Sequence, residues 1–493
     1  MLFNSHFFIF VFLPVTLAGY FAIGRASRYL ASAWLAAASL LFYGWWDPRF
    51  VPLLCGSIAV NYLIGSALSR SEALTPRKVW LGLGLGFNLL LLAYYKYFGF
   101  FTAQLDALSG LDIAIPEIVL PLGIAFFTFT QIAFLVDVYR GEAREYRPVH
   151  YVLFVTFFPH LIAGPILHHK EMMPQFAKDA AHRFRALNLA VGSTAFAIGL
   201  VKKVVFADSI APFATHVFKA ADAGAVPGFV EAWGGTLAYT LQLYFDFSAY
   251  SDMAVGLAIM FGIRMPLNFF SPYKARDMID FWRRWHMTLS RFLRDYLYIP
   301  LGGNRHGKGR RYLNLMITMV LGGFWHGAGW TFIAWGALHG FYLAVNHAWR
   351  ETRKGRPAPS PLGRFSARLL TFLCVILAWV FFRAETFEGA LRVLRGMIGI
   401  DGKLWTLAPV HWDRGGWLIL AGLAIVWLAP NTYQILSRYR PVLPFDRGLR
   451  QTREPGFHFR WRATPGWAYG MGVVATLGLL YLGRITEFLY FRF

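Results

Sequence analysis

The sequence has few charged residues and very few cysteines. Only 15% of its 493 residues are charged, whereas 57% are hydrophobic and 18% are aromatic. This composition excludes a soluble multi-domain protein and indicates an integral membrane protein. The two cysteines, Cys55 and Cys374, lie far apart in apolar segments, with no further Cys or His at metal-binding spacing. We therefore expect no disulfide framework and no metal site.

Acidic residues are also scarce: 26 Asp and Glu stand against 48 Lys and Arg, which gives a net charge of +22. Such an excess would fit a nucleic-acid-binding protein, but in a polytopic membrane protein basic residues collect in cytoplasmic loops. Apolar runs such as residues 81–95, 118–136 and 466–482 approach or exceed the length of a membrane crossing. The membrane explanation therefore accounts for the charge, and no nucleic-acid partner is expected.

The distribution of charge predicts the topology. Residues 102–117 and 207–231 are poor in Lys and Arg and contain acidic residues, so we place them on the outer face with the N-terminus. The first apolar segment, residues 7–23, has no Lys or Arg before it and is followed by Arg25 and Arg28, an order typical of a retained anchor. We expect about ten full spans within one domain, residues 1–493. The basic loops placed in the cytoplasm are residues 70–78, 168–185, 264–284, 303–311, 350–368 and 438–462.

Two apolar segments have basic loops on both sides and therefore do not fit a simple crossing. Residues 151–167 contain prolines and a glycine that interrupt a helix, so we predict a re-entrant segment. Residues 313–349 are predicted to form a hairpin with His326 near its deepest point. An ionisable residue at membrane depth marks a catalytic centre, a substrate path or a proton relay. The alternative for His326 is a core histidine that hydrogen-bonds a carbonyl of a neighbouring helix.

A second histidine lies in residues 277–298, which contain no Gly or Pro and follow a helical period, so one amphipathic helix is predicted. His286 would then face the apolar interior, either as a site residue or as a core histidine among aromatic rings. The apolar face would carry Trp282, Leu289, Leu293 and Leu297, and the opposite face Arg284, Arg291 and Asp295. Arg291 and Asp295 are four residues apart and are predicted to pair.

Asp246 and Asp252 lie in an apolar span, where each carboxylate needs a donor partner or a proton. One interpretation is that the two residues are a pair of catalytic acids. The other is that they are structural partners of the Arg-rich helix after Asp277. The adjacent His168 and His169 point in different directions on any regular element, which does not favour metal binding.

Several blocks of this sequence resemble the membrane-bound O-acyltransferase (MBOAT) family, and within it most resemble the bacterial alginate O-acetyltransferases and their peptidoglycan and cellulose relatives. The resemblance runs from the first span to the last residue. The blocks are FPHLIAGPI at 158–166, LQLYFDFSAYSDMAVGLA at 241–258, FWRRWHMTLSRFLRDYLYIPLGGNRHG at 281–307, GGFWHGAGWTFIAWGALHG at 322–340 and the terminal FLYFRF.

The resemblance implies an all-α fold in which ten or more membrane helices form a ring with re-entrant or buried helices around a central funnel. A cytoplasmic donor funnel and an external acceptor funnel would meet at a histidine. It implies that His326, in the WHG motif, is catalytic and that His286, in the RWH motif, is the second functional histidine. We expect Trp325, Trp282, Asp246 and Asp252 to support the site.

The implied reaction is acetyl transfer from an activated thioester, with acetyl-CoA or an acyl carrier as donor substrate and no permanently bound cofactor. The enzyme must deprotonate an acceptor hydroxyl and stabilise an oxyanion. We assign the general base to His326, and to His286 the orientation of the acceptor or donation to the oxyanion. An acyl-histidine intermediate is a further variant. The donor phosphates are expected to bind a basic cluster formed by Arg305, Lys308, Arg310 and Arg311. The alternative is that these residues only determine the membrane topology.

The resemblance also implies a bacterial inner-membrane location and an exported polysaccharide, such as alginate, as acceptor, reached directly or through a periplasmic acetyl-accepting protein. A polysaccharide-precursor transporter or flippase is the rival class, since it also needs polar groups at the midplane. Such folds usually show paired internal repeats, and this sequence has none. A non-catalytic membrane scaffold would leave both histidines without a role.

Overall fold

The computed structural model describes residues 1–110, 118–144, 147–355, 357, 360–407, 412–444, 459–483 and 489. These described residues form helices and connecting segments without strands, which confirms the all-α prediction. Parts of two predicted loops, residues 102–117 and 438–462, and most of the terminal FLYFRF lie outside the described residues.

The first half of the chain consists of apolar helices and one interrupted segment. Its helices are α1 (Phe8–Gly24), α2 (Arg28–Gly44), α3 (Pro48–Arg70), α4 (Leu74–Ser109), α5 (Ile124–Tyr139), α6 (Pro148–Thr156), α7 (Phe158–Leu161), α8 (His169–Phe176) and α9 (Ala186–Asp222).

The second half begins with a 32-residue α-helix that no π-helical turn interrupts, and it contains the segments that carry both histidines. Its helices are α10 (Phe229–Met260), α11 (Met278–Trp282), α12 (Met287–Leu293), α13 (Gly307–His326), α14 (Trp330–Thr352), α15 (Pro361–Arg383), α16 (Phe387–Ile398), α17 (Trp412–Leu428), α18 (Thr432–Ile435) and α19 (Pro465–Leu480).

Among the described helices, α3, α4, α9 and α15 are long and apolar enough to cross a membrane, and α1, α5 and α19 are shorter apolar helices. This finding does not confirm the predicted ten spans. The other long helices carry more polar residues: α10 contains two aspartates, and α13 begins with a basic turn. A helix with such groups needs protein partners for them rather than lipid.

Helix α10 is buried along almost its whole length, so it forms the centre around which the other helices pack. Its closest neighbour is α9. Gly192 and Gly256 allow these two backbones to touch, because a Cβ on Gly256 would lie 2.6 Å from the Gly192 carbonyl oxygen. Such close approach is the usual role of small residues between membrane helices.

The predicted interruption at residues 151–167 is present. Helix α6 ends where Phe157 leaves the helical conformation, α7 has four residues, and the chain then runs without regular structure to α8. Nearly every side chain of this stretch is buried. Gly164 packs directly on His160, since a Cβ there would lie 2.3 Å from the His160 Cα. The irregular backbone is therefore covered by protein, as membrane depth requires.

The basic segment 264–284 differs from the predicted cytoplasmic loop. Residues 265–275 are buried and irregular apart from a short 3-10 helix, Pro272–Lys274, and the side chains of Lys274 and Arg284 are also buried. Arg284 is neutralised by the Asp280 carboxylate at 2.9 Å. A buried, paired arginine carries little information about the side of the membrane, so the cytoplasmic position of this segment stays a prediction.

Candidate functional site

Helices α13 and α14 form a tight hairpin that carries His326 at its turn, as the sequence predicts. Glycines allow the two backbones to approach: a Cβ on Gly323 would lie 2.2 Å from the Phe332 carbonyl oxygen, and one on Gly336 would lie 2.4 Å from that of Met319. His326 is the last residue of α13, and the short segment 327–329 leads into α14. The position of His326 is therefore fixed by a closely packed helix pair.

The His326 side chain is enclosed by aromatic rings. Trp325, Trp335 and Phe382 meet the imidazole edge-to-face, with ring-centroid distances of 4.8, 5.2 and 5.1 Å. The side chain is buried, yet its Nδ1 has no hydrogen-bond partner among the described residues. The core-histidine alternative requires such a partner, because a buried polar atom is costly when unpaired. The geometry therefore favours a functional role.

The open end of the hairpin is held by ion pairs. Glu351 of α14 receives Lys308 Nζ at 2.8 Å and an Arg311 guanidinium nitrogen at 2.6 Å. These hydrogen bonds lower the pKa of Glu351 to about 2, and the one from Lys308 has the larger effect. Two of the four cations predicted to hold donor phosphates are thus already paired, while Arg305 and Arg310 are exposed.

The predicted continuous helix over residues 277–298 is wrong, because it breaks immediately before His286. Helix α11 ends at Trp282, and His286 has left-handed backbone angles, φ 40° and ψ 54°, before α12 begins. For a residue with a Cβ this conformation costs about 1–2 kcal/mol. Backbone hydrogen bonds to the buried segment offset that cost: Phe270 N–H donates to the Arg284 carbonyl and Met287 N–H to the Asn268 carbonyl, both at 2.9 Å.

The rest of the predicted amphipathic pattern changes with the break. His286 is fully buried, as predicted, but Arg284 is also buried, on the side expected to be polar. Arg291 and Asp295 do not pair with each other. Arg291 instead binds Glu171, with Nη2 and Oε2 2.8 Å apart, and Asp295 binds Arg294 at 2.7 Å. The chain continues from α12 as a π-helical turn, Arg294–Tyr298, which alters the register that an α-helix would give.

A directed chain of hydrogen bonds determines which nitrogen of His286 carries the proton. The Ile166 amide donates to Thr288 Oγ1 at 3.0 Å, so the Thr288 hydroxyl donates onward to Asn268 Oδ1, also at 3.0 Å. His286 Nδ1 lies 3.0 Å from the same Oδ1. An amide oxygen only accepts, so Nδ1 is the protonated nitrogen. Neutral His286 therefore presents a lone pair on Nε2, which is buried without a partner among the described residues.

The two histidines meet at the boundary between the two apolar clusters of the protein. Trp325 belongs to the cluster built mainly from the first half of the chain, and Trp335 and Phe382 belong to the other. The imidazole ring centroids of His286 and His326 are 6.4 Å apart. That separation allows both rings to reach one small reacting group, since hydrogen-bond reach is roughly 3 Å from each.

Trp325 and Trp282, which are predicted to support the site, have different contacts. The Trp325 ring lies against His326 and also stacks on Phe129, with centroids 5.0 Å apart. Trp282 Nε1–H instead donates to Nδ1 of His339, a fully buried histidine of α14, at 3.3 Å.

Asp246 and Asp252 form ion pairs, as buried carboxylates require, but their partners are lysines rather than the predicted arginines. Asp246 binds Lys203 at 2.7 Å and Asp252 binds Lys202 at 2.9 Å, both across the contact between α9 and α10. Asp252 also accepts from the Thr432 hydroxyl at 2.5 Å. Consecutive lysines serve both aspartates because they lie in a π-helical turn of α9, Lys202–Ala207. These carboxylates therefore have cationic partners and tie the central helix to its neighbour.

His168 and His169 have different surroundings, as their adjacent positions predict. His168 Nδ1 lies 2.9 Å from the Tyr296 hydroxyl and 3.4 Å from Asp137. His169 lies between the rings of Phe134 and Phe154, with both centroids at 5.2 Å. Among the described residues, no group of three or more His, Cys, Asp or Glu side chains is arranged to hold a metal ion.

Asn268 is the site residue that sequence reasoning missed. The available signal was a single amide in the apolar run 265–270. Its side chain is fully buried and also donates from Nδ2 to Ser251 Oγ at 3.2 Å. Only the fold reveals that it lies beside a histidine 18 residues away.

We predict that Asn268→Leu lowers the rate of the acetyl transfer that the resemblance implies roughly tenfold, because His286 loses the acceptor that fixes its ring and tautomer. Initial rates of acetyl transfer by purified, monodisperse protein provide the measurement. Asn268→Asp, which keeps an acceptor oxygen, should retain more activity than the leucine variant. The matched control is Ser251→Ala, which removes a contact of Nδ2 and leaves the Oδ1 contacts in place. A normal rate in folded Asn268→Leu protein would contradict this role.

The chain belongs to the membrane-bound O-acyltransferase family, whose family model matches residues 132–382. This range contains both histidines, the Asn268 segment and the hairpin. The family assignment and the acyltransferase class are thereby confirmed.

Similar curated proteins are named as O-acetyltransferases and as a related transferase. The chain is 44% identical to a peptidoglycan O-acetyltransferase of Helicobacter pylori, over 82% of this chain and 80% of that protein. It is 38% identical to a probable alginate O-acetylase AlgI of Pseudomonas putida over the full length of both. A teichoic acid D-alanyltransferase of Streptococcus thermophilus is 30% identical over 53% of this chain and 68% of that protein.

Proposed function

We propose that this enzyme transfers an acetyl group from a cytoplasmic thioester donor, acetyl-CoA or an acyl carrier, toward hydroxyls of an exported polysaccharide. Alginate is one such polymer, and a periplasmic acetyl-accepting protein is an alternative immediate acceptor. The names of the relatives support O-acetyl transfer. The observation that carries the proposal is the pair of buried imidazoles 6.4 Å apart, each with a ring nitrogen that has no partner among the described residues.

In this mechanism the acceptor hydroxyl attacks the thioester carbonyl while His326 removes its proton. An O–C bond forms, the tetrahedral intermediate collapses, and the C–S bond breaks. The proton held by His326 passes to the departing thiolate, so the products are an ester and a free thiol. The surrounding rings of Trp325, Trp335 and Phe382 exclude water, which would otherwise hydrolyse the donor.

The tautomer of His286 favours one of its two predicted roles. With Nδ1–H donated to Asn268, neutral His286 accepts a hydrogen bond at Nε2 and does not donate one. It is therefore suited to orient the acceptor by accepting a hydrogen bond from a neighbouring hydroxyl of the same sugar, because the proton of the attacking hydroxyl goes to His326. Donation to the oxyanion would first require protonation of His286 inside an apolar enclosure, which is unfavourable.

We further propose that the whole chain forms one multi-pass domain of the bacterial inner membrane, with a ring of helices around a central funnel. The apolar helices α3, α4, α9 and α15 support membrane insertion. Because Lys308 and Arg311 are paired with Glu351, Arg305 and Arg310 are the cations of this cluster that remain for donor phosphates among the described residues.

Reconstitution with defined substrates tests the proposed function. Purified protein in liposomes receives acetyl-CoA on one side, and acetylated oligoalginate or peptidoglycan fragments are measured on the other. Release of coenzyme A thiol coupled to acetyl-ester formation is the expected result. Transport of unmodified oligosaccharide without ester formation would support the transporter class instead, and no reaction with any donor or acceptor would support a scaffold.

We predict that the base of the hairpin and the end of α4 lie on opposite membrane faces, because the positive-inside rule places the basic turn of α13 in the cytoplasm. Cysteine variants Leu108→Cys and Gly309→Cys, made after replacement of both native cysteines, provide the test with an impermeant thiol reagent. Leu108 is 87% exposed, and a side chain on Gly309 meets no atom within 4 Å. Labelling of both sites from the same side would overturn the topology.

A further inference from the structure

Lys96 is a charged residue within α4, one of the helices long and apolar enough to cross a membrane. It belongs to a π-helical turn, Ala93–Tyr97, where the regular α-helical register is interrupted. Its ammonium donates to the carbonyl oxygen of Trp325 at 2.6 Å and to that of His326 at 3.1 Å. Burying a lysine ammonium in an apolar span costs free energy, and such residues usually have a functional role. The partner of Lys96 therefore indicates what that role is.

The neighbouring residue completes the same contact. The Tyr97 hydroxyl donates to the Phe324 carbonyl at 3.2 Å, and its ring stacks on the Phe324 ring with centroids 4.3 Å apart. The π-helical turn thus directs two consecutive side chains to one helix end. Such turns inside α-helices are frequent at functional sites.

These contacts account for the carbonyl groups at the end of α13. The last four carbonyls of a helix have no partner within it. Here the Gly323 carbonyl accepts from the Gly327 amide at 3.4 Å. The Tyr97 hydroxyl donates to the Phe324 carbonyl, and the Lys96 ammonium donates to the last two carbonyls, those of Trp325 and His326. The ammonium also lies at the helix end where the macrodipole is negative. The hydrogen bonds of Lys96 and its positive charge therefore both stabilise the end of α13, including the backbone of His326.

We propose that Lys96 is a positioning residue for His326: it fixes the backbone of the catalytic histidine from a separate helix and so sets the direction of the imidazole toward His286. This inference rests on the proposed function of His326. Because Nδ1 of His326 has no hydrogen-bond partner among the described residues, the orientation of the ring depends on its backbone and on the surrounding aromatic rings. Removal of the cap should disturb the reactive geometry more than substrate affinity.

Steady-state kinetics with acetyl-CoA and oligoalginate test the proposal. Lys96→Met, which keeps the length of the side chain but removes its donors, should lower kcat roughly tenfold while KM for both substrates stays within about twofold. Lys96→Arg, which restores charged donors, should recover kcat to within about threefold of wild type. A raised KM with normal kcat would overturn the proposal, since it would place Lys96 in substrate binding.

Two further variants separate positioning from folding. Lys274→Met is the matched control, because Lys274 is also buried and donates at 3.0 Å to the Ala429 carbonyl, just beyond the end of α17. Its kcat per folded molecule should stay within about twofold of wild type. If Lys96→Met does not fold, Tyr97→Phe still removes the hydrogen bond to Phe324 and should lower kcat about threefold at constant KM.

The outcomes distinguish this proposal from the proposed function. An active His326→Ala enzyme would reject the catalytic histidine and this inference with it. An inactive His326→Ala enzyme beside fully active, folded Lys96→Met and Tyr97→Phe enzymes would reject the positioning role alone. Equal losses in Lys96→Met and Lys274→Met would show a general effect of burying an uncapped helix end, which also overturns it.

Discussion

His326→Ala is expected to lower acetyl transfer by about a hundredfold or more, because the acceptor hydroxyl loses its general base. Folding should be affected less, since the imidazole has no side-chain hydrogen bond to lose among the described residues. The measurement is ester formation per molecule of purified protein. The matched control is His6→Ala, which removes an exposed imidazole. Wild-type acetylation by well-folded His326→Ala protein would reject the assignment.

His286→Ala is expected to reduce turnover by about tenfold to a hundredfold, with some residual activity. The acceptor would lose its orienting partner, whereas His326 would still be present as base. Measurement of KM for the oligosaccharide acceptor and for acetyl-CoA identifies the substrate involved. A rise for the acceptor and not for the donor would support the orienting role. Full activity with both substrates would return His286 to the role of a core histidine.

The hairpin could be predicted because its signals are local. Basic residues flank the apolar segment on both sides, and residues 327–329 form a short Gly-Ala-Gly turn after His326. Glycines of both helices then allow α13 and α14 to approach closely in the half of the hairpin nearest the turn. The same kind of signal, interrupting prolines and a glycine, predicted the broken segment at residues 151–167.

The break before His286 had no local signal. Residues 277–298 have good helical periodicity and no Gly or Pro, so propensity alone favours one helix. The break arises because the buried segment around Asn268 supplies backbone partners to Arg284 and Met287. Tertiary hydrogen bonds of this kind override local preference, and a single sequence does not reveal them.

The partners of the buried charged residues could not be predicted from the sequence either. Asp246 and Asp252 were recognised as buried carboxylates, but the π-helical turn that brings Lys202 and Lys203 to them is not visible in the sequence. Lys96 did have a signal, since it follows directly after the apolar run 81–95. The free-energy cost of a charge within a membrane is enough to single out Lys96 in the sequence. Its partner, the carbonyl of His326, lies more than two hundred residues away and could not be predicted.

The way the hairpin is held has a consequence for motion during catalysis. Glu351 fastens its open end, glycine contacts join its two helices, and Lys96 caps its turn. A transporter must rock one bundle against another, exposing its central site to each side in turn. A hairpin fastened at three levels is expected to stay rigid on the microsecond-to-millisecond timescale of such rocking. The substrates would then travel to a stationary centre, and the rate of turnover would be set by their arrival, chemistry or departure rather than by a swing of the protein.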